Sequence, residues 1–380
     1  MASNSSSTTI LSLPVELQQD IVSKTDKRDV LAIRLACREL SAAADDHFLV
    51  TFYSERKHLL TRHGIEALVS IAQDVRLCSK LEKIEIVAAD VTEMISPSYT
   101  SPLDRMVNLG TPPPPKRRPA GETVLQRTDE QKRKDEERSK EKEKRRKAFQ
   151  AIVWERWVAE RDAMLDGELI VSLLSTAFRH LSAVGRQISL QVSRDTDVPD
   201  FAIGCQQLTK TLTGSPMKEG FTVPYLGRCK SLDPPSEKIM RAVMVAQLPL
   251  SELCIGDGIF DPEEKARSTL APFSLGHPND SWPSSCVQNL RSITLALDCY
   301  LGRGGDVEGL AGFTKFVQAA KGLETVEMEF DYHGEADARS RYLSTIGNAF
   351  SKNKLRQIFI REMSFFTQEL GRSNFNPYDG

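Results

Sequence analysis

No run of eighteen consecutive apolar residues occurs in this 380-residue chain, so we expect no membrane-spanning helix. Residues 1–9 are rich in Ser and Thr, with neither a basic start nor an apolar core, which argues against a secretion signal. Fifty basic and 52 acidic residues give a formal net charge of −2. That balance argues against a protein that binds nucleic acid over its whole surface.

Cysteine is scarce and scattered. The seven cysteines form no Cys-x-x-Cys pair, so their spacing fits neither a zinc site nor a secreted disulfide framework. We expect most of them to be small buried side chains in a protein of a reducing compartment, either the cytoplasm or the nucleus.

Signatures of catalysis and of metal or cofactor binding are missing as well. His47, His58 and His63 are eleven and five residues apart, which does not place them on one helical face. The glycine-rich segment 302–305 has neither a Gly-Lys-Ser/Thr ending nor Gly-x-Gly-x-x-Gly spacing, and no nucleophile elbow occurs. We therefore expect a non-catalytic chain without a metal or cofactor.

The start of the chain carries two apolar segments that predict short helices. Ser12 is expected to cap the first helix, with Pro14 in its first turn. Leu13, Leu17 and Ile21 fall four residues apart and so share one face. The second segment, 29–38, is apolar around most of its circumference. Because about forty residues of short helices cannot cover so much apolar surface alone, another surface must bury it.

These residues resemble an F-box. The pattern runs from residue 10 to residue 48: Leu-Pro-x-Glu-Leu at 13–17, Ile21, Asp-Val-Leu at 29–31 and Leu-Ala-Cys-Arg-Glu-Leu at 35–40, with Phe48 or Phe52 as the terminal aromatic. The continuation at 52–56 and 81–86 resembles F-box proteins abundant in filamentous fungi. One departure is the polar loop 23–28, where the family usually has an apolar residue and a proline.

The resemblance implies that the chain binds the SKP-family adaptor of an SCF-type cullin–RING ubiquitin ligase and presents a protein target to that complex. It places the adaptor contact at nine positions: Leu13, Pro14, Leu17, Ile21, Val30, Leu31, Leu35, Cys37 and Arg38. The alternative is a non-catalytic scaffold in which the same helices cap the chain's own repeat domain. Capping would bury Leu17, Ile21 and Leu31 against residues near Ile65 and Leu68.

A Leu-x-x-apolar-x-apolar signature recurs behind this region. Its first leucines are Leu81, Leu250, Leu290, Leu323 and Leu355, with a looser version at Leu181. At the end of each motif apolar and other residues alternate, which predicts a short half-buried strand. Apolar residues at helical spacing precede most of the motifs and predict a helix there. We therefore predict an α/β fold: a short helical F-box followed by an irregular leucine-rich-repeat-like solenoid, with a parallel sheet and outer helices. The alternative is an ordinary α/β domain.

A long insertion separates the first two motifs. Residues 96–127 are rich in Pro and Ser, whereas residues 128–166 predict one long charged helix, exposed at first and docked later through Phe149, Ile152, Val153, Trp157 and Val158. From residue 116 to residue 147, fourteen basic residues are interleaved with eight acidic ones and no aromatic, which favours a solvated helix over a nucleic-acid site. The basic clusters 116–118 and 144–147 could instead act as nuclear import signals.

The predicted organisation has seven segments. They are a disordered start (1–9), the F-box (10–50), a first helix–strand unit (51–95), a disordered linker (96–127), the charged helix (128–166), a solenoid-like target-recruiting region (167–370) and a tail (371–380).

The positions between the apolar ones should face the open side of the sheet. On the last two strands these positions hold Glu327, Glu329, Phe359 and Arg361, which we predict to contact the target. The alternative is that the acids are neutralised by basic residues on neighbouring strands.

Overall fold

The computed structural model describes residues 9–88, 129–165, 168–193, 202–204, 207, 210, 232–256, 267–274, 281–299, 305–332, 336–351 and 353–363. The helices are α1 (Val15–Ser23), α2 (Lys27–Ala36), α3 (Arg38–Tyr53), α4 (Arg62–Gln73), α5 (Val75–Cys78), α6 (Asp129–Leu165), α7 (Leu169–Ala183), α8 (Asp233–Ala246), α9 (Ser284–Val287), α10 (Gly305–Ala319) and α11 (Ala336–Phe350). The strands are β1 (Glu55–Leu59), β2 (Lys83–Val87), β3 (Ile188–Ser193), β4 (Leu250–Ile255), β5 (Ser292–Cys299), β6 (Thr325–Tyr332) and β7 (Gln357–Met363).

All seven strands form one parallel sheet, ordered β1 to β7 as in the chain. The predicted α/β class is therefore confirmed. The sequence did not predict β1, because Glu55, Arg56 and Lys57 give it no alternating apolar pattern. It forms at the sheet edge, where it pairs in parallel with β2 alone among the named strands.

The recurring leucines lie in one continuous core. Leu81, Leu181, Leu250, Leu290 and Leu323 are each at most 1% exposed and belong to the same buried cluster. The alternating strand residues that follow them, such as Ile84 and Ile86 of β2, are fully buried in that cluster. The helices α4, α7, α8, α10 and α11, which precede five of these strands, supply the other side of it.

The last motif departs from the prediction. Leu355 is partly buried against the core, but Ile358 and Ile360 of β7 are 55% and 56% exposed. In the earlier motifs the corresponding residues are covered from the side by the next helix–strand unit. No further unit follows β7 within the described part of the chain, so these two apolar side chains remain open.

The predicted charged helix is confirmed as α6. Ion pairs four residues apart run along it, including Glu136–Lys140 at 2.8 Å and Glu141–Arg145 at 3.1 Å. Ile152, predicted to dock, is 48% exposed. The side chains of Phe149, Val153, Trp157 and Val158 and the predicted linker at 96–127 lie outside the described residues. None of the described helices is both long and apolar enough to cross a membrane.

The start of α1 differs from the prediction. Ser12 lies in a 3-10 turn, Ile10–Ser12, and its hydroxyl donates to the Thr9 carbonyl at 2.7 Å. Pro14 is the N-cap, and the helix begins at Val15. The extended backbone of Pro14 (φ −52°, ψ 148°) separates the two turns. The Gln18 amide then donates to the Leu13 carbonyl at 2.8 Å, which holds the entry to α1.

Candidate protein-docking site

Exposed apolar side chains concentrate at the start of the chain. Among the residues that the structure describes, seventeen large apolar side chains are exposed, and seven of these lie between residues 10 and 35. They are Ile10, Leu11, Val15, Leu17, Ile21, Leu31 and Leu35. Contiguous exposed apolar patches mark sites that contact another protein, a membrane or a ligand. We call these seven residues the docking face.

Two stripes of the docking face follow helical spacing. On α1, Leu17 and Ile21 are four residues apart and 50% and 38% exposed. On α2, Leu31 and Leu35 are four residues apart and 44% and 87% exposed. Residues four apart share one side of a helix, so each helix turns an apolar stripe outward.

The opposite sides of α1 and α2 form a small core against α3. Only Val22, Val30 and Ala44 are fully buried in it, with Phe48 and Phe52 packed around them. A core of this size has no room for the outer stripes, which is why they stay exposed.

The nine sequence-predicted contact residues divide by burial. Leu17, Ile21, Leu31 and Leu35 are exposed, as are Pro14 and Arg38, whereas Leu13 and Cys37 are half-buried. Val30 is fully buried and has no surface for a partner. Its prediction as a contact residue was wrong, because it lies on the side of α2 that packs toward α3.

Three residues of the docking face were missed from the sequence. Ile10, Leu11 and Val15 are 37%, 48% and 51% exposed. The available signal was their position beside Leu13 at the end of a Ser- and Thr-rich stretch. Nothing in the sequence indicated that Ile10 and Leu11 would lie in a 3-10 turn, or that Val15 would begin α1 on an exposed side.

The polar loop before α2 has a structural role. The Asp26 carboxylate accepts hydrogen bonds from the N–H groups of Arg28 and Asp29 at 2.9 and 3.0 Å. It therefore caps α2 and fixes where the outer stripe of that helix begins.

Charged contacts fix the three helices to the sheet domain. Asp45 of α3 forms ion pairs with Arg34 of α2, at 3.2 Å, and with Arg76 of α5. The adjacent Asp46 pairs with Lys80 at 2.6 Å. The Arg34 guanidinium also lies 3.7 Å from the centre of the Phe48 ring. Asp45 and Asp46 of α3 thus connect α2 with the segment around α5 in the sheet domain. The docking face therefore has a defined orientation relative to that domain.

The end of α3 continues directly into the sheet. Tyr53 packs against the main core, and the Ser54 carbonyl accepts from the Glu82 and Lys83 N–H groups at 2.8 and 2.9 Å. Arg56 donates to the Phe52 carbonyl at 2.8 Å, and burial lowers the pKa of its guanidinium. No mobile linker therefore separates the docking helices from β1.

The residues of the second predicted site, on the last strands, differ in exposure. The parallel register places Phe359 beside Glu327 and Arg361 beside Glu329. Phe359 is 48% exposed, Arg361 is exposed and Glu327 is half-buried. Glu329 is only 5% exposed, so its prediction as an exposed contact was wrong. It lies in the register between Ala296 and Arg361, with a paired strand on each side.

The described residues hold no group of three or more His, Cys, Asp or Glu side chains arranged to bind a metal ion. His58 of β1 is fully buried, and its Nδ1 lies 2.9 Å from the Gly64 carbonyl. Burial lowers its pKa to about 4, so the ring is neutral at physiological pH.

The exposed surfaces of the first helices therefore offer mainly apolar contacts to a partner.

No family model matches the chain, and no curated protein or solved structure reaches the level of a match.

Proposed function

We propose that the chain is an F-box substrate receptor of an SCF-type cullin–RING ubiquitin ligase. The docking face binds a SKP-family adaptor, and the sheet domain recruits a protein target. Ubiquitin transfer is carried out by other subunits, so this chain is not itself an enzyme. The observation that carries the proposal is the outward position of Leu17, Ile21, Leu31 and Leu35 on two helices whose sequence resembles an F-box.

The capping alternative predicts different contacts. It requires Leu17, Ile21 and Leu31 to be covered by the region of Ile65 and Leu68, yet all three are exposed. Ile65 and Leu68 are fully buried in the main core instead. The helices reach the body through α3 and its ion pairs, which leaves the docking face available to a partner.

For the sheet domain we propose an irregular leucine-rich-repeat-like solenoid. The strand order follows the chain, all pairs are parallel, and buried leucines recur at the start of successive units. Crossovers between neighbouring parallel strands share one hand, which places the helices on one side and opens the other side of the sheet. Glu327, Phe359 and Arg361 occupy that open side at the last two strands, and we propose them as part of the target-recruiting surface.

Adaptor binding by paired variants tests the proposal. Leu17→Asp with Leu31→Asp places a charge on each outer stripe. Removing a central apolar anchor usually costs about 2 kcal/mol or more, so we expect adaptor affinity to fall by a factor of about thirty or more. The measurement is titration calorimetry of the full chain with a purified SKP-family adaptor.

Val245→Asp with Val307→Asp is the matched control. Both residues are exposed, at 46% and 71%, but they lie on α8 and α10, away from the docking face. This control should bind the adaptor like the unmodified chain. Equal adaptor affinity of the unmodified chain and the Leu17/Leu31 variant would contradict the F-box assignment.

A further inference from the structure

The two edges of the sheet differ in chemistry. The β1 edge carries Glu55, Arg56 and Lys57, and part of it is already paired: the Ile203 N–H donates to the Lys57 carbonyl at 2.8 Å and the Leu59 N–H donates to the Ile203 carbonyl at 2.9 Å. At the β7 edge, Ile358, Phe359 and Ile360 are consecutive and 55%, 48% and 56% exposed. No strand of the described chain pairs with the outer side of β7.

The backbone of β7 is set up to accept another strand. The Gln357 N–H donates to the Glu324 carbonyl at 3.1 Å, on the β6 side. Because the backbone groups of successive strand residues point to opposite sides, those of Ile358 and Ile360 point toward the open edge. An apolar edge strand with such unpaired groups is a template for pairing with another chain.

We propose that β7 is a dimerisation edge that pairs antiparallel with β7 of a second copy, around a two-fold axis at Phe359. The two sheets then join into one. A symmetric interface of this kind requires a surface that is complementary to itself. The segment from Gln357 to Arg361 meets that requirement because its apolar residues are symmetric about Phe359.

The proposed register pairs apolar residues with apolar residues and polar residues with polar residues. Ile358 lies opposite Ile360 of the second copy, and Phe359 lies opposite Phe359. Gln357 lies opposite Arg361, so the amide oxygen can accept from the guanidinium.

The hydrogen-bond pattern supports the same register. Ile358 and Ile360 direct their backbone groups to the edge, so each Ile–Ile pair exchanges two hydrogen bonds. Phe359 directs its groups toward β6 and forms the closer, non-hydrogen-bonded pair at the axis. Moving the axis to Ile358 would set Ile360 opposite Arg356, and moving it to Ile360 would set Ile358 opposite Glu362.

The dimer is independent of the proposed adaptor contact. β1 and β7 are six strand spacings apart, about 29 Å, so pairing at β7 leaves the docking face free in both copies. Pairing one strand from each copy buries less than a standard interface, so we expect a weak dimer that forms at micromolar concentrations.

Sedimentation equilibrium of the full chain across the micromolar range tests the association. We expect a concentration-dependent monomer–dimer equilibrium that Phe359→Lys abolishes, because it sets two like charges at the axis. Val307→Lys, at another strongly exposed apolar residue, should leave the equilibrium unchanged. A dimer that persists in Phe359→Lys overturns the proposal.

A monomeric unmodified chain at every concentration also overturns it. The same holds if removal of residues 364–380 is needed before dimers form, because the edge would then be covered within one chain.

Cysteine cross-linking tests the register. A non-hydrogen-bonded pair brings its Cα atoms to about 4.5 Å, within the range that a disulfide spans. Phe359→Cys should therefore cross-link to itself under mild oxidation, whereas Gln357→Cys, which faces Arg361, should not. Peptide mass spectrometry distinguishes these links from those of the native cysteines. Equal cross-linking at 357 and 359 would contradict the two-fold axis at Phe359.

Discussion

His58 has an environment that makes the stability of the fold depend on pH. It is fully buried, and its Nδ1 contacts the Gly64 carbonyl. Burial is the main cause that lowers its pKa to about 4 from an ordinary value of 6.5. Since the folded protein holds the neutral ring, its contribution to stability is complete above pH 6.5 and is lost progressively as the pH falls toward 4.

We therefore predict that His58→Asn reduces the pH dependence of unfolding. Between pH 7 and pH 4, protonation of this group lowers the free energy of unfolding of the unmodified chain by at most about 3 kcal/mol. An Asn amide can donate to the Gly64 carbonyl but does not titrate. Urea unfolding at several pH values measures the effect, and His63→Asn, at an exposed histidine, is the control. If the free energy of unfolding of His58→Asn fell with decreasing pH as steeply as that of the unmodified chain, other groups would cause the acid sensitivity.

Two glycines in helices predict opposite responses to the same substitution. A Cβ at Gly312 of α10 would lie 2.0 Å from the Phe273 carbonyl oxygen, whereas one at Gly347 of α11 would have nothing within 4 Å. Gly312→Ala should lower the free energy of unfolding by about 2 kcal/mol or more, because backbone must move apart. Gly347→Ala should raise it by about 0.5–1 kcal/mol, because Ala restricts the unfolded chain more. Urea unfolding of both variants should give shifts of opposite sign.

At the scale of elements, α6 differs from every other helix. Its apolar residues occur only in its second half, and its described side chains between residues 133 and 141 are all exposed. The helices α4, α7, α8, α10 and α11 place buried residues in the main core, as α7 does with Leu174 and Phe178. The first half of α6 therefore contributes little to the stability of the sheet domain.

We predict that residues 100–147 are the part of the chain most sensitive to protease and can be deleted at little cost. Deletion should leave the thermal midpoint within a few degrees, whereas extending the deletion through Val158 should lower it clearly. Limited proteolysis and thermal unfolding of both deletions make the measurement. Strong protection of residues 100–147 would mean that the helix packs along its full length.

At the scale of the whole molecule, two apolar surfaces lie at opposite ends of one sheet. The docking face precedes β1, and the exposed residues of β7 end the sheet. The two proposed roles, adaptor binding and target recruitment beside the dimer edge, can therefore be separated by mutation.

We predict that Phe359→Ala loses target association but keeps adaptor binding. The side chain is 48% exposed, so the thermal midpoint should change by only a few degrees. Ile358→Lys is the informative control, because residue 358 pairs in register with the buried Val326 and so lies on the other side of β7. It should disturb strand pairing between copies while keeping the target. Affinity purification with quantitative mass spectrometry measures target association and adaptor binding for each variant. If Phe359→Ala kept the target as Ile358→Lys does, the proposed surface would be contradicted.

Much of the architecture could be predicted because it depends on local periodicity. Recurring leucines with alternating residues located six of the seven strands, and stripes at helical spacing located the helices before them. The polarity of Glu55, Arg56 and Lys57 hid β1, since an edge strand needs no apolar alternation. The outer stripe of α1 was also visible in the sequence, because four-residue spacing places Leu17 with Ile21. The second segment was predicted to be apolar around most of its circumference, so the sequence did not single out Leu31 and Leu35 as its outer stripe.

The sequence by itself determined the α/β class, the order of the strands β2 to β7 and the apolar character of the first helices, because each follows from side-chain spacing along the chain. Only the tertiary structure decided which apolar residues are covered. Val30 faces α3 and is buried, whereas Ile358 and Ile360, with the same motif spacing as buried residues elsewhere, have no described unit beside them. Glu329 is only 5% exposed, whereas Glu327 of the same strand, which also has a paired strand on each side, is half-buried. Burial depends on neighbours distant in the chain, which spacing within one element does not specify.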